Sequence, residues 1–195
     1  MGNSVKKHRV AVLISGNGSN LQALIDAAGK TDYPANIVLV ISNKEDAFGL
    51  TRAKNAGIPS YVVNHKDYNS REEFDMAVNA LLLQNQIEFV CLAGFMRILS
   101  ARFVNIWKGR MLNIHPSLLP DFKGAHAVRD ALNSGVKESG CSVHLVTEEM
   151  DAGEIIAQAK VPILPDDTQE TLHKRIHQQE HILYPRSLEL LINRH

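Results

Sequence analysis

Apolar runs and helical periodicities alternate along most of this chain. Four short apolar runs have the length of strands and are each followed by glycine, serine or asparagine: residues 9–14, 37–41, 61–63 and 89–93. Four further segments carry apolar residues at helical spacing: residues 21–28, 46–55, 70–84 and 101–107. Because strands that alternate with helices are typical of βαβ units, the pattern predicts a parallel sheet covered by helices on both faces.

The last third of the chain has a different pattern. Residues 141–146 alternate between apolar and polar side chains, and residues 155–163 form another strand-like run after a turn at 151–153. We therefore expect two antiparallel strands at one edge of the sheet. A long helix is predicted over residues 168–192, with a kink or break at Pro185 because proline lacks a backbone N–H. The predicted fold class is α/β, with a mostly parallel twisted sheet flanked by helices and antiparallel edge strands near the C-terminus.

Nothing along the chain marks a domain boundary. With 195 residues, of which 45% are hydrophobic, the chain can bury one sizeable core. We find no repeat, low-complexity tract or long linker. The expected organisation is a polar N-terminal tail at residues 1–8 followed by a single domain at residues 9–195.

A polar pair interrupts the apolar run at residues 111–115. Asn113 and His115 point to the same face of a strand, while the residues between and before them pack on the other face. Pro116 cannot continue a sheet ladder, so the pair lies at the carboxyl end of the strand, where ligands bind in open α/β sheets. The alternative is a buried histidine that is simply satisfied by the asparagine.

A glycine-rich turn follows the first predicted strand, at residues 15–20. Backbone N–H groups in such a turn, at the start of a helix, favour a phosphate, and Gly16, Gly18, Ser19 and Asn20 fit that role. The match to a dinucleotide fingerprint is incomplete, because leucine replaces the third glycine and no acidic residue ends the second strand. A single phosphate is therefore favoured over NAD, and a purely structural turn remains the alternative.

Composition narrows the classes of partner. Lys and Arg total 21 and Asp and Glu total 21, so the net charge is zero. With no basic run carrying interleaved aromatic residues, we expect neither nucleic acid nor a membrane as a partner. Cys91 and Cys141 lie far apart in apolar segments, which is typical of reduced thiols. Since no apolar segment approaches the ~20 residues of a membrane span and no signal peptide is recognisable, a cytoplasmic protein is expected.

Asp151 begins the turn between the two predicted antiparallel strands. There its carboxylate could approach His115 and favour the imidazolium form of the ring. Together with Asn113, such a site offers two donors to an oxygen that develops negative charge, as acyl transfer requires. Taken singly, an aspartate in this position is more often a turn residue.

Four motifs in this order resemble those of the folate-dependent formyltransferases. They are the turn at residues 15–20, the segment 93–99, the stretch 113–120 and the Asp-Ala-Gly turn at 151–153, and the resemblance extends over residues 9–191. It is strongest to the members that act on glycinamide ribonucleotide. The resemblance implies a Rossmann-like formyltransferase fold. It also implies transfer of the formyl group of 10-formyltetrahydrofolate to the amino group of glycinamide ribonucleotide in de novo purine biosynthesis.

The resemblance also implies roles for individual residues. The family's catalytic residues correspond to Asn113, His115 and Asp151. The residues expected to bind glycinamide ribonucleotide are Gly18, Ser19, Asn20 and Glu180. The residues expected to bind folate are Arg71, Met96, Arg97, Ile98, Leu99 and Asn113, together with the loop 147–151. No metal is expected, and the chain is expected to be a monomer or a weak homodimer.

Residues 177–181 suggest an alternative of another class. Their sequence, His-Gln-Gln-Glu-His, fits the inverted zinc-protease pattern on a helix, with His173 one turn earlier. Zinc needs a third protein ligand, and the only acidic residue after His181 is Glu189, on the same predicted helix. A polar helix face is the preferred interpretation.

Two nearer alternatives share the formyltransferase core. Methionyl-tRNA formyltransferases normally add a C-terminal nucleic-acid-binding domain, and formyltetrahydrofolate hydrolases add an N-terminal regulatory domain. We expect neither here, because the chain has room for neither and its neutral charge disfavours tRNA. A protein that only binds a ligand is a further alternative, but it would not explain why Asn113, His115 and Asp151 occur together.

The sequence also suggests roles for a loop and for three residues outside these motifs. The loop 117–127 carries Pro120 and Gly124 and is expected to form a mobile flap over the site. His126 in that loop is a further candidate for lining the site. His144 and Trp107 are assigned to packing.

Overall fold

The computed structural model describes residues 6–195 and consists of one seven-stranded sheet flanked by helices. Residues 1–5 of the predicted polar tail lie outside the described residues, and the first strand already begins at His8. The strands are β1 (His8–Ile14), β2 (Ala35–Ser42), β3 (Ser60–Val62), β4 (Phe89–Leu92), β5 (Met111–His115), β6 (Glu138–Leu145) and β7 (Ile155–Pro162). The helices are α1 (Ser19–Ala28), α2 (Phe48–Asn55), α3 (Arg71–Gln84), α4 (Ala101–Ile106), α5 (Ala127–Ser134) and α6 (Gln169–Ile192).

The strand order is β3-β2-β1-β4-β5-β6-β7. Strands β1 to β5 pair in parallel, whereas β6 and β7 are antiparallel to their neighbours, so the predicted fold class is confirmed. In register, Leu13 of β1 pairs with Leu92 of β4, and Leu92 pairs with Asn113 of β5. The loops that follow these three strands therefore open at the same edge of the sheet.

Alternate residues along the strands contribute to cores on opposite faces of the sheet. On one face, Val10, Val12 and Ile14 pack in a cluster that includes buried residues of α1 and α6. On the other face, Ala11 and Leu13 pack in a cluster with buried residues of α3 and α4. This alternation is the period of two that a strand imposes, and it explains why the parallel strands appear in the sequence as continuous apolar runs.

The long C-terminal helix, α6, crosses one face of the sheet without a break. Of the predicted kink or break at Pro185, the break is wrong, since the helix continues through this residue. Leu183, Tyr184 and Leu188, on both sides of the proline, are buried in the core. This packing holds the helix in place where the missing proline N–H removes one hydrogen bond.

Two helical elements were not predicted from the sequence. Helix α5 has eight residues and begins at Ala127, the last residue of the predicted flap, and its Val128 and Ala131 side chains are buried. A 3-10 turn at His65–Asp67 follows β3. Both elements are short, so apolar periodicity gave little signal for either of them.

Of the helices that the structure describes, none combines the length and the apolar character needed to cross a membrane.

Candidate active site

Asn113 and His115 lie at the carboxyl end of β5, in the middle of the sheet. Strand β6 runs antiparallel beside them, so that Asn113 is opposite His144 and His115 is opposite Ser142. His115 is buried and Asn113 is partly exposed. The alternation of β5 therefore brings an amide and an imidazole to one face, as the sequence pattern predicts.

Asp151 reaches this face from the turn between β6 and β7. Its backbone has a φ of +51°, and its side chain is only 8% exposed. Asp151 Oδ2 lies 3.5 Å from His115 Nδ1, and Oδ1 lies 3.5 Å from His144 Nε2. Burial raises the pKa of Asp151, but a hydrogen bond with His144, a second one from the Gly124 N–H and the nearby His115 outweigh it, so the pKa lies below its ordinary value.

His144 is a member of this cluster that the sequence analysis missed. Its assignment to packing overlooks a contact of 3.3 Å between His144 Nε2 and Asn113 Nδ2. His144 Nδ1 lies 2.9 Å from Leu145 O, and Nε2 lies within 3.5 Å of both the Asn113 amide and the Asp151 carboxylate. His144 thus contacts Asn113 and Asp151 together. Its place opposite Asn113 on an antiparallel strand was the signal that could have revealed it.

The loop after β5 covers His115. Its ring nitrogen Nε2 lies 2.9 Å from Phe122 O, and the backbone N–H of Gly124 donates to Asp151 Oδ2 at 2.9 Å. The loop is tied to the sheet through Ser142, whose Oγ accepts from Leu119 N–H at 3.0 Å and donates to Ser117 O at 2.7 Å. Both ring nitrogens of His115 therefore face protein groups in this conformation.

The glycine-rich turn leads from β1 into α1. Gly18 has a φ of +74°, and a Cβ at this position would come within 2.8 Å of the Gly49 Cα, so both the conformation and the space require glycine. Among the described residues, no side chain caps the first turn of α1, and that turn contains no acidic residue. The start of α1 is therefore suited to an anionic group.

Asn20 and Glu180, both assigned to the nucleotide substrate, are in direct contact. Asn20 Nδ2 donates to Glu180 Oε2 at 2.8 Å, and Glu180 is only 3% exposed. Burial raises the pKa of Glu180 even though the Asn20 hydrogen bond acts in the opposite direction. His177 Nε2 lies 3.7 Å from Glu180 Oε2. Within residues 6–195, no group of three or more His, Cys, Asp or Glu side chains is arranged to hold a metal ion.

The residues assigned to folate lie at the same edge of the sheet, beyond β4. Residues 96–99 form an irregular segment in which Met96 and Ile98 are 73% and 55% exposed. Arg71 begins α3 and is exposed to solvent. Arg97 is partly buried, and its Nε atom has no hydrogen-bond partner among the described residues. The segment therefore offers apolar surface next to β5.

This arrangement can support addition to a carbonyl group. An amide and an imidazole can both donate to an oxygen that gains negative charge, and a carboxylate with a lowered pKa can orient the imidazole. The glycine-rich turn after β1 and the apolar segment after β4 lie on one side of the cluster, in the strand order β1-β4-β5. The combination suits an acceptor with a phosphate and a donor with a flat apolar ring.

The family profile and the related sequences indicate the same family. The sequence profile of the family described as Formyl transferase matches residues 8–188. A phosphoribosylglycinamide formyltransferase of Escherichia coli is 48% identical over 176 residues, which cover 90% of this chain and 83% of that protein. A trifunctional purine biosynthetic protein adenosine-3 of Homo sapiens is 55% identical over 186 residues, or 95% of this chain. The chain spans only 18% of that trifunctional relative and 14% of the one from Drosophila melanogaster.

Solved structures agree with the sequence comparison. A phosphoribosylglycinamide formyltransferase from Brucella melitensis superposes with a TM-score of 0.91 at 50% identity, covering 94% of this chain and 95% of that one. A glycinamide ribonucleotide transformylase 1 from Symbiobacterium toebii gives a TM-score of 0.92 at 45% identity, covering 94% and 86%.

Proposed function

Because this chain belongs to the formyl transferase family, we propose that it transfers the formyl group of 10-formyltetrahydrofolate to the amino group of glycinamide ribonucleotide. The products are formylglycinamide ribonucleotide and tetrahydrofolate, in de novo purine biosynthesis. The proposal is supported by the Escherichia coli relative named phosphoribosylglycinamide formyltransferase, of which the chain covers 83%.

The observation that carries the proposal is the contact between His115 and Asp151 beside Asn113. The 3.5 Å separation of His115 Nδ1 and Asp151 Oδ2 lets the carboxylate orient the ring and stabilise its positive charge. Asn113 lies two residues before His115 on the same strand face. This arrangement supports the proposal that an amide and an imidazole donate to the oxygen of a tetrahedral intermediate.

In the proposed reaction the neutral amine of the acceptor attacks the formyl carbon, and the carbonyl electron pair moves onto oxygen. Asn113 and protonated His115 donate to this oxyanion. The intermediate then collapses by breaking the bond to the folate nitrogen, which takes up a proton as the amine nitrogen loses one. Asp151 orients His115 and helps to move this proton through water.

The loop over His115 must shift before this chemistry. His115 Nε2 contacts Phe122 O, and Nδ1 faces Asp151, so a substrate oxygen can accept from the ring only by replacing the Phe122 carbonyl. Such replacement couples substrate binding to the conformation of residues 116–126.

The two substrates are assigned to neighbouring loops. The phosphate of glycinamide ribonucleotide is proposed to bind the N–H groups of Gly18, Ser19 and Asn20, with Glu180 near its glycinamide end. The folate is proposed to lie against residues 96–99, with Arg71, Asn113 and the loop 147–151 completing its pocket. Exposed Met96 and Ile98 supply apolar surface for the pterin ring.

We also propose that the reaction takes place in the cytoplasm without nucleic acid, membrane or metal, in a monomer or weak homodimer. Cys91 and Cys141 support a reducing compartment, because both are buried as free thiols.

Turnover of 10-formyltetrahydrofolate, followed by absorbance with and without glycinamide ribonucleotide, tests the proposal. Loss of the formyl group only when glycinamide ribonucleotide is present supports the transferase. Loss without it indicates a hydrolase, and no loss in either case contradicts the proposal.

A further inference from the structure

The donor segment, defined as residues 96–99, lies outside every helix and strand. It follows β4 and connects buried Phe95 with buried Ser100. Its two exposed apolar side chains, Met96 and Ile98, can present a defined surface to a ligand only if the backbone beneath them is held in place. An irregular segment lacks ladder hydrogen bonds, so other groups must hold it.

Two buried side chains hold the ends of the donor segment. The Met96 N–H donates to Ser15 Oγ at 2.8 Å, and the Ser100 N–H donates to Asp75 Oδ2 at 2.5 Å. Both acceptors are almost inaccessible to solvent. Burial raises the pKa of Asp75, although its hydrogen bond to the Ser100 N–H lowers it in part. Ser15 directly follows β1 and Asp75 lies in α3, so the two ends of the segment are held by two separate parts of the fold.

Asn43 determines the direction of the Ser15 hydroxyl. Ser15 Oγ donates its single proton to Asn43 Oδ1 at 2.5 Å, which leaves the oxygen lone pairs for the Met96 N–H. Asn43 is itself buried just after β2, and its Nδ2 atom lies 3.4 Å from His65 Nδ1. The Ser15 hydroxyl thus joins the loops after β1, β2 and β4.

We propose that Ser15, oriented by Asn43, is a positioning residue for the formyl donor, an inference that rests on the proposed function. Ser15 is the first residue of the turn at residues 15–20, whose Gly18, Ser19 and Asn20 are assigned to the acceptor phosphate. Its hydroxyl also holds Met96, the first residue of the donor segment. One buried hydroxyl therefore fixes the distance between the two substrate sites. Such control of relative position contributes to the rate of a two-substrate reaction.

The turn that is assigned to the acceptor phosphate is also held by hydrogen bonds that do not involve Ser15. Loss of the Ser15 hydroxyl should therefore affect the donor site and not the acceptor site. The Gly49 N–H donates to Gly16 O at 3.0 Å, and Arg52 Nε donates to Asn17 O at 2.9 Å. Removal of the Ser15 hydroxyl leaves both contacts in place. The acceptor site is expected to keep its shape while the donor segment loses one anchor.

Steady-state kinetics of the full chain with both substrates tests the inference. For Ser15→Ala, we expect KM for the dideaza analogue of 10-formyltetrahydrofolate to rise about three- to tenfold, the range usual for one lost hydrogen bond. KM for glycinamide ribonucleotide is expected to stay within about twofold of wild type. Ser15→Thr, which retains a hydroxyl, should restore donor binding.

A double-mutant comparison separates orientation from general loss of stability. Asn43→Ala should raise the donor KM, and the Ser15→Ala/Asn43→Ala double variant should be no worse than Ser15→Ala alone, because Asn43 acts through Ser15. Ser139→Ala is the matched control, since Ser139 is a buried serine of β6 whose Oγ has no hydrogen-bond partner among the described residues. It should leave both KM values unchanged.

The outcomes distinguish this inference from the proposed function. If wild type transfers the formyl group but folded Ser15→Ala keeps the wild-type donor KM, or if the two substitutions act additively, the positioning role is overturned. An equal rise in both KM values also overturns it. If wild type neither transfers the formyl group nor binds the dideaza analogue in calorimetry, the proposed function fails and the inference fails with it.

Discussion

The carboxylate of Asp151 lies between two imidazole rings, and each of its oxygens faces a different ring. Oδ2 approaches His115 Nδ1 and Oδ1 approaches His144 Nε2, both at 3.5 Å. The Gly124 N–H adds a hydrogen bond at 2.9 Å. Because these contacts outweigh the effect of burial and lower the pKa, Asp151 is suited to remain charged and to orient His115.

Substitution of the catalytic pair should reduce turnover strongly. We expect His115→Ala and Asp151→Asn each to lower kcat by about 10² to 10⁴, the range usual for a lost acid-base group or oxyanion donor. Purified variants should be compared with wild type in the formyl-transfer assay, with folding checked by circular dichroism. Asp32→Asn is a suitable control because Asp32 is exposed in the loop between α1 and β2. Near wild-type kcat in either folded variant would contradict the assigned roles.

His144 should contribute through Asn113 and Asp151. Substitution of Phe for His144 keeps a ring in the buried position but removes the contacts at 3.3 Å and 3.5 Å. We expect kcat to fall about tenfold with a smaller change in both KM values, because the substitution disturbs orientation more than binding. His8→Phe, at the opposite end of the sheet, controls for loss of an imidazole. If kcat is unchanged in folded His144→Phe, the ring serves packing alone.

The lowered pKa of Asp151 predicts how it affects stability at acid pH. A carboxyl group whose pKa is lower in the folded state stabilises the fold above its ordinary value of 3.8, and this contribution decreases as pH falls towards the folded-state pKa. Urea unfolding of wild type and Asp151→Asn should be compared from about pH 6 to about pH 3. The difference in unfolding free energy should be constant at the upper end and shrink below about pH 4. A difference that does not change with pH would rule out this interpretation.

At the scale of elements, helix α6 connects the sheet to Glu180, which is proposed to bind the nucleotide substrate. Tyr184 is fully buried, and its hydroxyl lies 2.9 Å from Leu92 O, at the end of β4, and 3.1 Å from Leu112 O, near the start of β5. Glu180 lies one turn earlier on the same helix and contacts Asn20 of α1. The position of Glu180 therefore depends on how α6 is fixed across the two strands.

Tyr184→Phe is expected to destabilise the protein by about 1–2 kcal/mol, because two buried carbonyl groups lose a shared donor. The free energy of unfolding in urea measures this effect. KM for glycinamide ribonucleotide should rise more than KM for the folate, since Glu180 is proposed to contact the nucleotide substrate. Tyr61→Phe is the control, because Tyr61 is exposed on the edge strand β3. Equal stability of Tyr184→Phe and wild type would show that the hydroxyl contributes nothing.

At the scale of the whole molecule, the sheet topology assembles the site from distant parts of the chain. Three parallel strands bring the glycine turn, the donor segment and the Asn113–His115 pair to one edge. The antiparallel β6–β7 pair adds His144 and Asp151, and α6 adds Glu180 from the covering layer. Contacts between residues up to 160 positions apart in sequence, such as Asn20 to Glu180, follow from this arrangement.

The sequence by itself determined most of the helices and strands and the polar residues at the carboxyl ends of the strands. Apolar runs and helical spacing are local properties, so strands β1, β2 and β4 and helices α1, α3 and α6 could be predicted within a few residues. The Asn-x-His pair followed by proline predicted, for the same reason, a polar cluster at the carboxyl end of β5. Helix α5 was missed because its apolar pattern covers only two turns.

Only the tertiary structure decided which side chains meet. The sequence allowed a contact between His115 and Asp151, but the 3.5 Å separation depends on how the turn after β6 folds back over β5. His144 looked like an ordinary strand residue because its partner Asn113 lies 31 positions away. The same is true of Ser15 and Met96, which are 81 positions apart. Pairings of this kind arise from strand register and loop conformation, which depend on the packing of the whole chain.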